Sequence, residues 1–524
     1  MASSSAEPLL NRLEDGGQDL EDIDGSLDSG AYDEKPHTRR SDIGRKRYIA
    51  IAAILLFIFA FGIFSFVFVS SSDKAHSEVV PEDDVPVKET EVAQEKPSFP
   101  PQLVGLPTES FWDNLRNDTS YITGWIDVGW TNDFMTIINM LYVGFLSNRT
   151  AVVPPFKPAH VSSAAGYPAF SEIFDVPKMT ALIPGGMPIL DWYELKDRNS
   201  THMDELGCWS AWATPRPDSG PRNGPIPRFI HVDASYTPVP KGSKLVATMP
   251  SELHMRHTAL SALTFPDGRK QAHLPPQAPF PGNSGHRKLP DERMACFDFL
   301  YYGSGVSGYE MTFDYSPAWR FVGTHAHWTS RISEITEQLV SAAFELSEGE
   351  SLPLFISVHI RHGDFTAWCD GKDTAPANAA DPGPHSACYA PLSAYAEKVK
   401  EVQAELLEKR GIDVQRVLVT SDEQSSEWWD AIRELGWARI DHKSVQTVEK
   451  YGEWYPVFTD AAAQSMGSGF VGTFKSTMSL MAARRVIDWH GGVWREVNWA
   501  DYGRDHAVKF ARSWESRSLD EFVV

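Results

Sequence analysis

Between residues 329 and 486 short apolar runs alternate with stretches of helical period, and no other feature of the chain restricts its fold as much. TSRISEITEQLVSAAFEL (329–346) leads into LFISVH (354–359), LSAYAEKVKEVQAELLEKRG into RVLVT (416–420), and a helix at 426–435 into ARI. A further helix across 456–467 leads into GFVGT (469–473), which runs straight into the helix STMSLMAARRV. Strands separated by helices return to one sheet in parallel through right-handed crossovers. The alternation therefore predicts a doubly wound parallel α/β sheet.

A second unit of this kind lies upstream. GWIDVGWTNDFMTIINMLYVGFLSNRTAVVPPF (124–156) predicts an apolar strand, a turn at Gly129–Asn132, and a helix carrying Phe134, Ile137, Ile138, Leu141 and Phe145 on one face. The strand TAVVPPF follows. From about 157 to 325 the chain is rich in Pro and Gly, and few elements are predicted. Two α/β units imply two Rossmann-like lobes with a cleft between them, an N-terminal lobe over 109–330 and a C-terminal lobe over 331–524. A hydrophobic content of 42% with 17 Trp suffices for both cores. The net charge of −22, with no Lys/Arg cluster beyond residue 50, argues against nucleic acid as a partner.

Ahead of the lobes, Tyr48 to Val69 form 22 residues without a charge, long enough as a helix to cross a hydrocarbon layer of about 30 Å. The run begins too far along the chain, is too long, and ends in residues too bulky for a cleaved signal peptide. Arg39, Arg40, Arg45, Lys46 and Arg47 precede it, whereas only Lys74 and Lys88 follow closely, so the N-terminus is expected in the cytosol. This predicts a single-pass type II protein of the secretory pathway, with the Golgi preferred over the endoplasmic reticulum. It would have a disordered cytosolic tail (1–47), a transmembrane helix (48–69) and a luminal stem (70–108). Sequons at Asn117, Asn148 and Asn199 agree with a luminal location. All four cysteines lie in the same part. The Pro-, Gly- and Ala-containing loop between Cys369 and Cys388 favours that pair, which leaves Cys208 to Cys296; free thiols are the alternative.

In an open parallel sheet, ligands bind beyond the carboxyl ends of the strands. Those ends carry His359 and Arg361, then Ser421, Asp422 and Glu423, then Thr473, Lys475, Ser476 and Thr477. A Ser-Thr pair at a helix start offers free amides and a positive dipole end, and an arginine can grip the same anion with two hydrogen bonds. The combination points to a diphosphate. The bland reading leaves Ser476 or Thr477 as a helix cap and Arg361 in an ion pair with Asp364. GSGVSG (303–308) satisfies G-x-G-x-x-G, but no amphipathic helix follows it, so it is read as a loop. The HAH at 325–327 lacks a third ligand and is read as structural.

These residues resemble a known family. HIRHGDF (359–365) is similar to the H-[IL]-R-x-x-D-[FY] signature of the GDP-fucose protein O-fucosyltransferases, a GT-B-like group of secretory-pathway enzymes. VFTDAAAQSMGSGFVGTFKSTMSL resembles the family's last motif, and NDFMTIINMLYVGFLSNRTAVVPPF its first. The resemblance implies that Arg361 binds the diphosphate of GDP-fucose, that Ser476, Thr477 and Met478 form the phosphate-holding helix start, and that His359 lines the nucleotide pocket. It also implies that Asp460 pairs with the guanine edge, since one carboxylate can accept from both N1 and N2, and that Asn132 lies near the sugar. The family's first loop carries an Arg or a Glu that DVGWTND lacks, so Asp127 and Asp133 are the candidate bases. The implied reaction is an inverting transfer of fucose to a protein Ser or Thr hydroxyl, with no cofactor and no metal; no Asp-x-Asp occurs in the luminal part. A glycan acceptor and a non-catalytic GDP-sugar-binding protein are the alternatives.

Overall fold

A computed structural model of the chain describes residues 99–125, 128–216, 220–222, 224–271, 278–312, 316–362 and 390–498. These belong to one compact unit, Pro97–Val524. The tail, the apolar run 48–69 and most of the stem lie outside the described residues. Among the described residues, no helix is long and apolar enough to cross a membrane.

Two fully parallel sheets organise the unit. The first contains β1 (Tyr121–Gly124), β2 (Thr150–Val153), β3 (Ile189–Asp191), β4 (Asp204–Ser210), β5 (Val232–Pro238) and β7 (Met294–Phe297), in the order β3-β2-β1-β7-β4-β5. The second contains β9 (Phe355–Ile360), β10 (Arg416–Ser421), β11 (Ala438–Arg439), β12 (Gly469–Thr473) and β13 (Val493–Val497), in the order β11-β10-β9-β12-β13. A small parallel pair joins β6 (Met255–Arg256) to β8 (Gly303–Ser304). The second sheet reverses its winding once, between β9 and β12; in the first, the chain crosses from β3 to β4 and turns back from β5 to β7, which lies between β1 and β4. In doubly wound sheets the crevice for a ligand opens at such a reversal. The fold class is thus α/β with two Rossmann-like halves in a GT-B-like arrangement.

The helix that follows β1, Trp130–Ser147, is buried along most of its length and ends at Asn148, whose left-handed backbone (φ 52°) lets its amide bond back to Gly144 and Phe145. Arg149 then turns inward. One of its terminal nitrogens donates to the carbonyls of Tyr121 (3.0 Å) and Glu292 (2.8 Å), the other to that of Thr264 (2.6 Å). Burial, followed by the nearby charge of Arg269, lowers its pKa to about 10, so it stays charged. The Asn-Arg-Thr triplet is thus a cap, a clamp on three backbone segments, and the first residue of β2. In the second half, the helix Thr477–His490 packs directly on β12. A Cβ on Gly472 would stand 2.7 Å from the Cβ of Ser479, which is why the strand ends in Gly-Thr.

The two halves share one core. Trp130 and Phe134 from the first, Trp328 from the connection, and Trp454, Phe458 and Met481 from the second are buried in one cluster. Polar ties cross the same boundary: the Trp454 indole donates to the carbonyl of Gly166 (3.0 Å), the Trp489 indole to that of Thr324 (2.7 Å), and the Trp319 indole to Asp488.

Two expectations need correction. The turn expected at Gly129–Asn132 is the first turn of the helix Trp130–Ser147, so Asn132 is a helical residue rather than a loop residue. The segment 157–325, where few elements were predicted, contributes β3 to β8. Its strands escape a search for apolar runs because they bury polar residues that are hydrogen-bonded. Asp204 in β4 meets Lys196 at 2.7 Å, Asp233 in β5 accepts from the amides of Asn283 (2.6 Å) and Ser284 (2.8 Å), and the Ser235 hydroxyl donates to the Lys288 carbonyl (2.8 Å). The Gly-rich stretch 303–308 turns its amides inward: those of Gly305, Val306 and Ser307 converge on the carboxylate of Glu310. Its dinucleotide-like spacing is thus filled by the chain's own anion. Cys208 and Cys296 are joined, linking β4 to β7, while Cys369 and Cys388 lie outside the described residues. The sequon residues Asn117, Asn148 and Asn199 are all exposed.

Arg149→Met should cost about 3 kcal/mol of unfolding free energy in urea titrations, the scale expected when several buried carbonyls lose a charged donor. A loss below about 1 kcal/mol would show that the clamp does not hold the sheet.

Candidate active site

The reversal between β9 and β12 is closed by a hydrogen-bond network rooted in the strand ends. The Thr473 hydroxyl donates to the carbonyl of His359 (3.0 Å) and accepts from the amide of Arg361 (3.0 Å). With its proton so used, it accepts from the phenol of Tyr395 (2.8 Å). The Thr473 amide donates to Ser479 Oγ (3.0 Å), and that hydroxyl lies 2.7 Å from His359 Nδ1. Burial, reinforced by the charge of Arg361, lowers the pKa of His359 to about 3, so the ring is neutral. We assign Nδ1 as the acceptor from Ser479, which leaves the proton on Nε2. β9 and β12 are thereby locked at the point where Arg361 leaves the sheet.

Arg361 is aimed from the neighbouring strand. Its Nε lies 3.5 Å from Asp422 Oδ2, beyond β10, and its side chain is one-fifth exposed. The other oxygen of Asp422 accepts from the amide of His362 (2.8 Å), and His362 Nδ1 meets Glu423 at 2.6 Å. Burial works to raise the pKa of Glu423, but the His362 hydrogen bond and the Ser425 and Gln424 amides outweigh it and hold the carboxyl below its usual range. Asp364, expected to orient Arg361, lies outside the described residues; Asp422 supplies an orienting carboxylate.

Two helix starts meet at this edge. Ser476 is the N-cap of Thr477–His490, its hydroxyl accepting from the Ser479 amide (3.4 Å), so its side chain serves the helix itself. The Thr477 hydroxyl meets that of Thr131 at 2.7 Å. Thr131 stands in the first turn of Trp130–Ser147, so the positive ends of two long helices, one from each half, converge. Among the described residues, the first-turn amides of Trp130, Thr131, Thr477 and Met478 have no backbone acceptor. Such amides bind anions. Met478 itself is half-buried against the shared core.

The remaining expected residues are placed as follows. Asn132 stands beside Thr131, and its Oδ1 is buried without a hydrogen-bond partner. Asp133 is buried at the helix start, where one oxygen accepts from the Val128 amide (3.3 Å). Asp127 lies outside the described residues. Asp460 stands on the helix Tyr455–Met466, one oxygen 2.9 Å from His442 Nε2. His442 is fixed in turn by Thr447 (3.0 Å). Thr473 and Asp422 were flagged in the sequence by their positions just beyond apolar runs, whereas Thr131, Tyr395, His442 and Ser479 were not singled out.

Burial opposes the charge on His442, but the Asp460 carboxylate, by charge and by hydrogen bond, and then Asp441, raise its pKa above the ordinary value. Because the folded pKa is the higher one, this stabilisation is complete below the unfolded value near 6.5 and fades as pH rises through the folded value. The stability difference between wild type and His442→Gln should therefore shrink as pH is raised from 6 to 9. A difference that stays constant or grows over this range would contradict the pairing.

Residues 127–487 match the GDP-fucose protein O-fucosyltransferase family. No curated protein matches the chain. Among solved structures, the apo form of POFUT1 is similar at 17% identity and a TM-score of 0.44, over 73% of this chain and 99% of that one. POFUT1 in complex with GDP-fucose is similar at 16% identity and a TM-score of 0.43, over 73% and 99%. The fucosyltransferase NodZ from Bradyrhizobium is similar at 13% identity and a TM-score of 0.34, over 70% and 92%. With the family's match spanning more than half of its length and reaching into both lobes, this chain belongs to the GDP-fucose protein O-fucosyltransferase family, the fucosyltransferases that depend on GDP-fucose.

Proposed function

We propose that this fucosyltransferase moves fucose to a Ser or Thr hydroxyl of a protein, by a single inverting displacement that uses no metal ion. The observation that carries this reading is the meeting of two helix starts at Thr131 and Thr477 beside Arg361 and the neutral ring of His359. The acceptor oxygen attacks the anomeric carbon from the face opposite GDP. As the bond from that carbon to the phosphate oxygen breaks, the diphosphate gains negative charge. Arg361 and the unpaired first-turn amides are placed to stabilise that charge, which is largest in the transition state and after it. His359 Nε2–H is a donor for the nucleotide. The carboxylate of Asp460, oriented by His442 at one oxygen, would accept from guanine N1 and N2 with one hydrogen bond to each oxygen, an arrangement uracil cannot match. Asp127 and Asp133 are the carboxylates to test as the base that takes the acceptor's proton. The apolar run 48–69 would anchor the catalytic part in a secretory-pathway membrane, with the Golgi ahead of the endoplasmic reticulum.

The test is a panel of nucleotide sugars with purified protein. GDP-fucose and GDP should raise its melting temperature, and UDP-sugars should not; stabilisation by UDP alone would overturn the role given to Asp460. Arg361→Ala should lower kcat/KM for transfer at least about 100-fold, the loss typical of removing one transition-state donor. Fucose delivered to free glycans and not to polypeptide would replace the protein acceptor with a carbohydrate.

A further inference from the structure

Arg485 occupies an unusual position for a charged residue. It lies on Thr477–His490, the helix whose start forms half of the anion site, and it is 1% exposed. Aromatic rings surround its guanidinium: the carbon lies 4.4 Å from the ring centre of Trp328, 5.0 Å from Phe134, 5.7 Å from Trp489 and 5.9 Å from Phe174. Its Nε and Nη2 are buried with no hydrogen-bond partner, and among the described residues no ion pair compensates it. Ring faces attract a cation, but they do not neutralise it. Burial lowers its pKa to about 9, which leaves it charged at neutral pH.

An unpaired buried charge is costly, and chains normally pair it or replace it. Its neighbours here suggest what the cost supports. Phe134 lies one helical turn beyond Thr131 on the helix of the first half. Arg485 lies eight residues beyond Thr477 on the helix of the second, about 12 Å along the axis. The two helices therefore meet twice, through hydroxyls at their starts and through the guanidinium and the Phe134 ring deeper in the core. The cation sits behind the same starts whose dipoles already point positive ends outward. Of the charges near these starts, the Asp133 carboxylate lies at the first helix, while the Arg485 guanidinium has no carboxylate partner among the described residues.

We propose that Arg485 is a positioning residue for the donor diphosphate, holding the two helix starts together across the halves and supplying from behind them a positive charge whose counter-ion is the diphosphate itself. The inference rests on the reading of the helix starts as the GDP site. It yields an expectation that a purely structural role does not: removing the charge should weaken GDP without weakening the empty fold.

The experiment compares the full-length protein with Arg485→Met and Arg485→Lys, measuring unliganded melting temperature, GDP affinity by calorimetry, and kcat and KM for GDP-fucose. Arg485→Met, which keeps the apolar packing and removes the charge, should melt within about 2 °C of wild type or higher, and bind GDP about tenfold more weakly. Arg485→Lys should recover GDP affinity to within about threefold. The proposal is overturned if Arg485→Met binds GDP within twofold of wild type, or if Lys and Met are equally impaired. Should Arg485→Met fail to fold, Phe134→Leu probes the contact from the other half: weaker GDP binding of threefold or more supports the proposal, and unchanged binding overturns it. Wild-type protein that does not bind GDP at all would instead sink the reading of the site.

Discussion

The hydroxyl contact between Thr131 and Thr477 is the point on which the arrangement turns. Each residue stands in the first turn of a helix that leaves the carboxyl end of a central strand, one in each sheet. For the contact to form, both sheets must present those strand ends to each other at one depth. That in turn requires the connection around Trp328 and the helix Tyr455–Met466 to seal against the first half. The shared core of Trp130, Phe134, Trp454, Phe458 and Met481 does this with apolar area. Like partial charges face each other across the contact, and an anion is the group that such a pair of helix starts favours.

Behind the helix starts, the network of Thr473, Ser479, His359 and Tyr395 uses side chains as extensions of the backbone. Thr473 serves three partners with one hydroxyl and its amide a fourth, so the ends of β9 and β12 cannot drift apart without breaking several bonds in a buried setting. This places Arg361 on a rigid support and leaves its side chain to be steered by Asp422. Rigidity matters for a diphosphate because its charge develops late, and donors already in place need no reorganisation when it does.

How much of this was visible in the residues follows from where their partners lie. The strands of the second sheet were legible because FISVHI and GFVGT are nearly continuous apolar runs, as buried parallel strands must be. β4 and β5 were not, since Asp204, Asp233 and Ser235 interrupt the pattern and are satisfied by Ser110 and Lys196, by Asn283 and Ser284, and by Lys288, all outside the strands themselves. At the site, His359, Arg361, Ser476 and Thr477 stood out by following apolar runs directly. Thr131 and Ser479 carried no such mark, because an ordinary Thr or Ser in a helix gains a role only through a contact hundreds of residues away or across a strand end. Arg485 carried no mark either, because the rings that enclose it, Phe134, Phe174 and Trp328, lie more than 150 residues away along the chain.

Hydrogen exchange at individual amides, with and without GDP, tests most directly whether one diphosphate is shared by two helix starts. The account predicts slowed exchange at Trp130 and Thr131 together with Thr477 and Met478, with both pairs saturating at one GDP concentration. Protection confined to a single helix start, or to neither while GDP is bound, would contradict it.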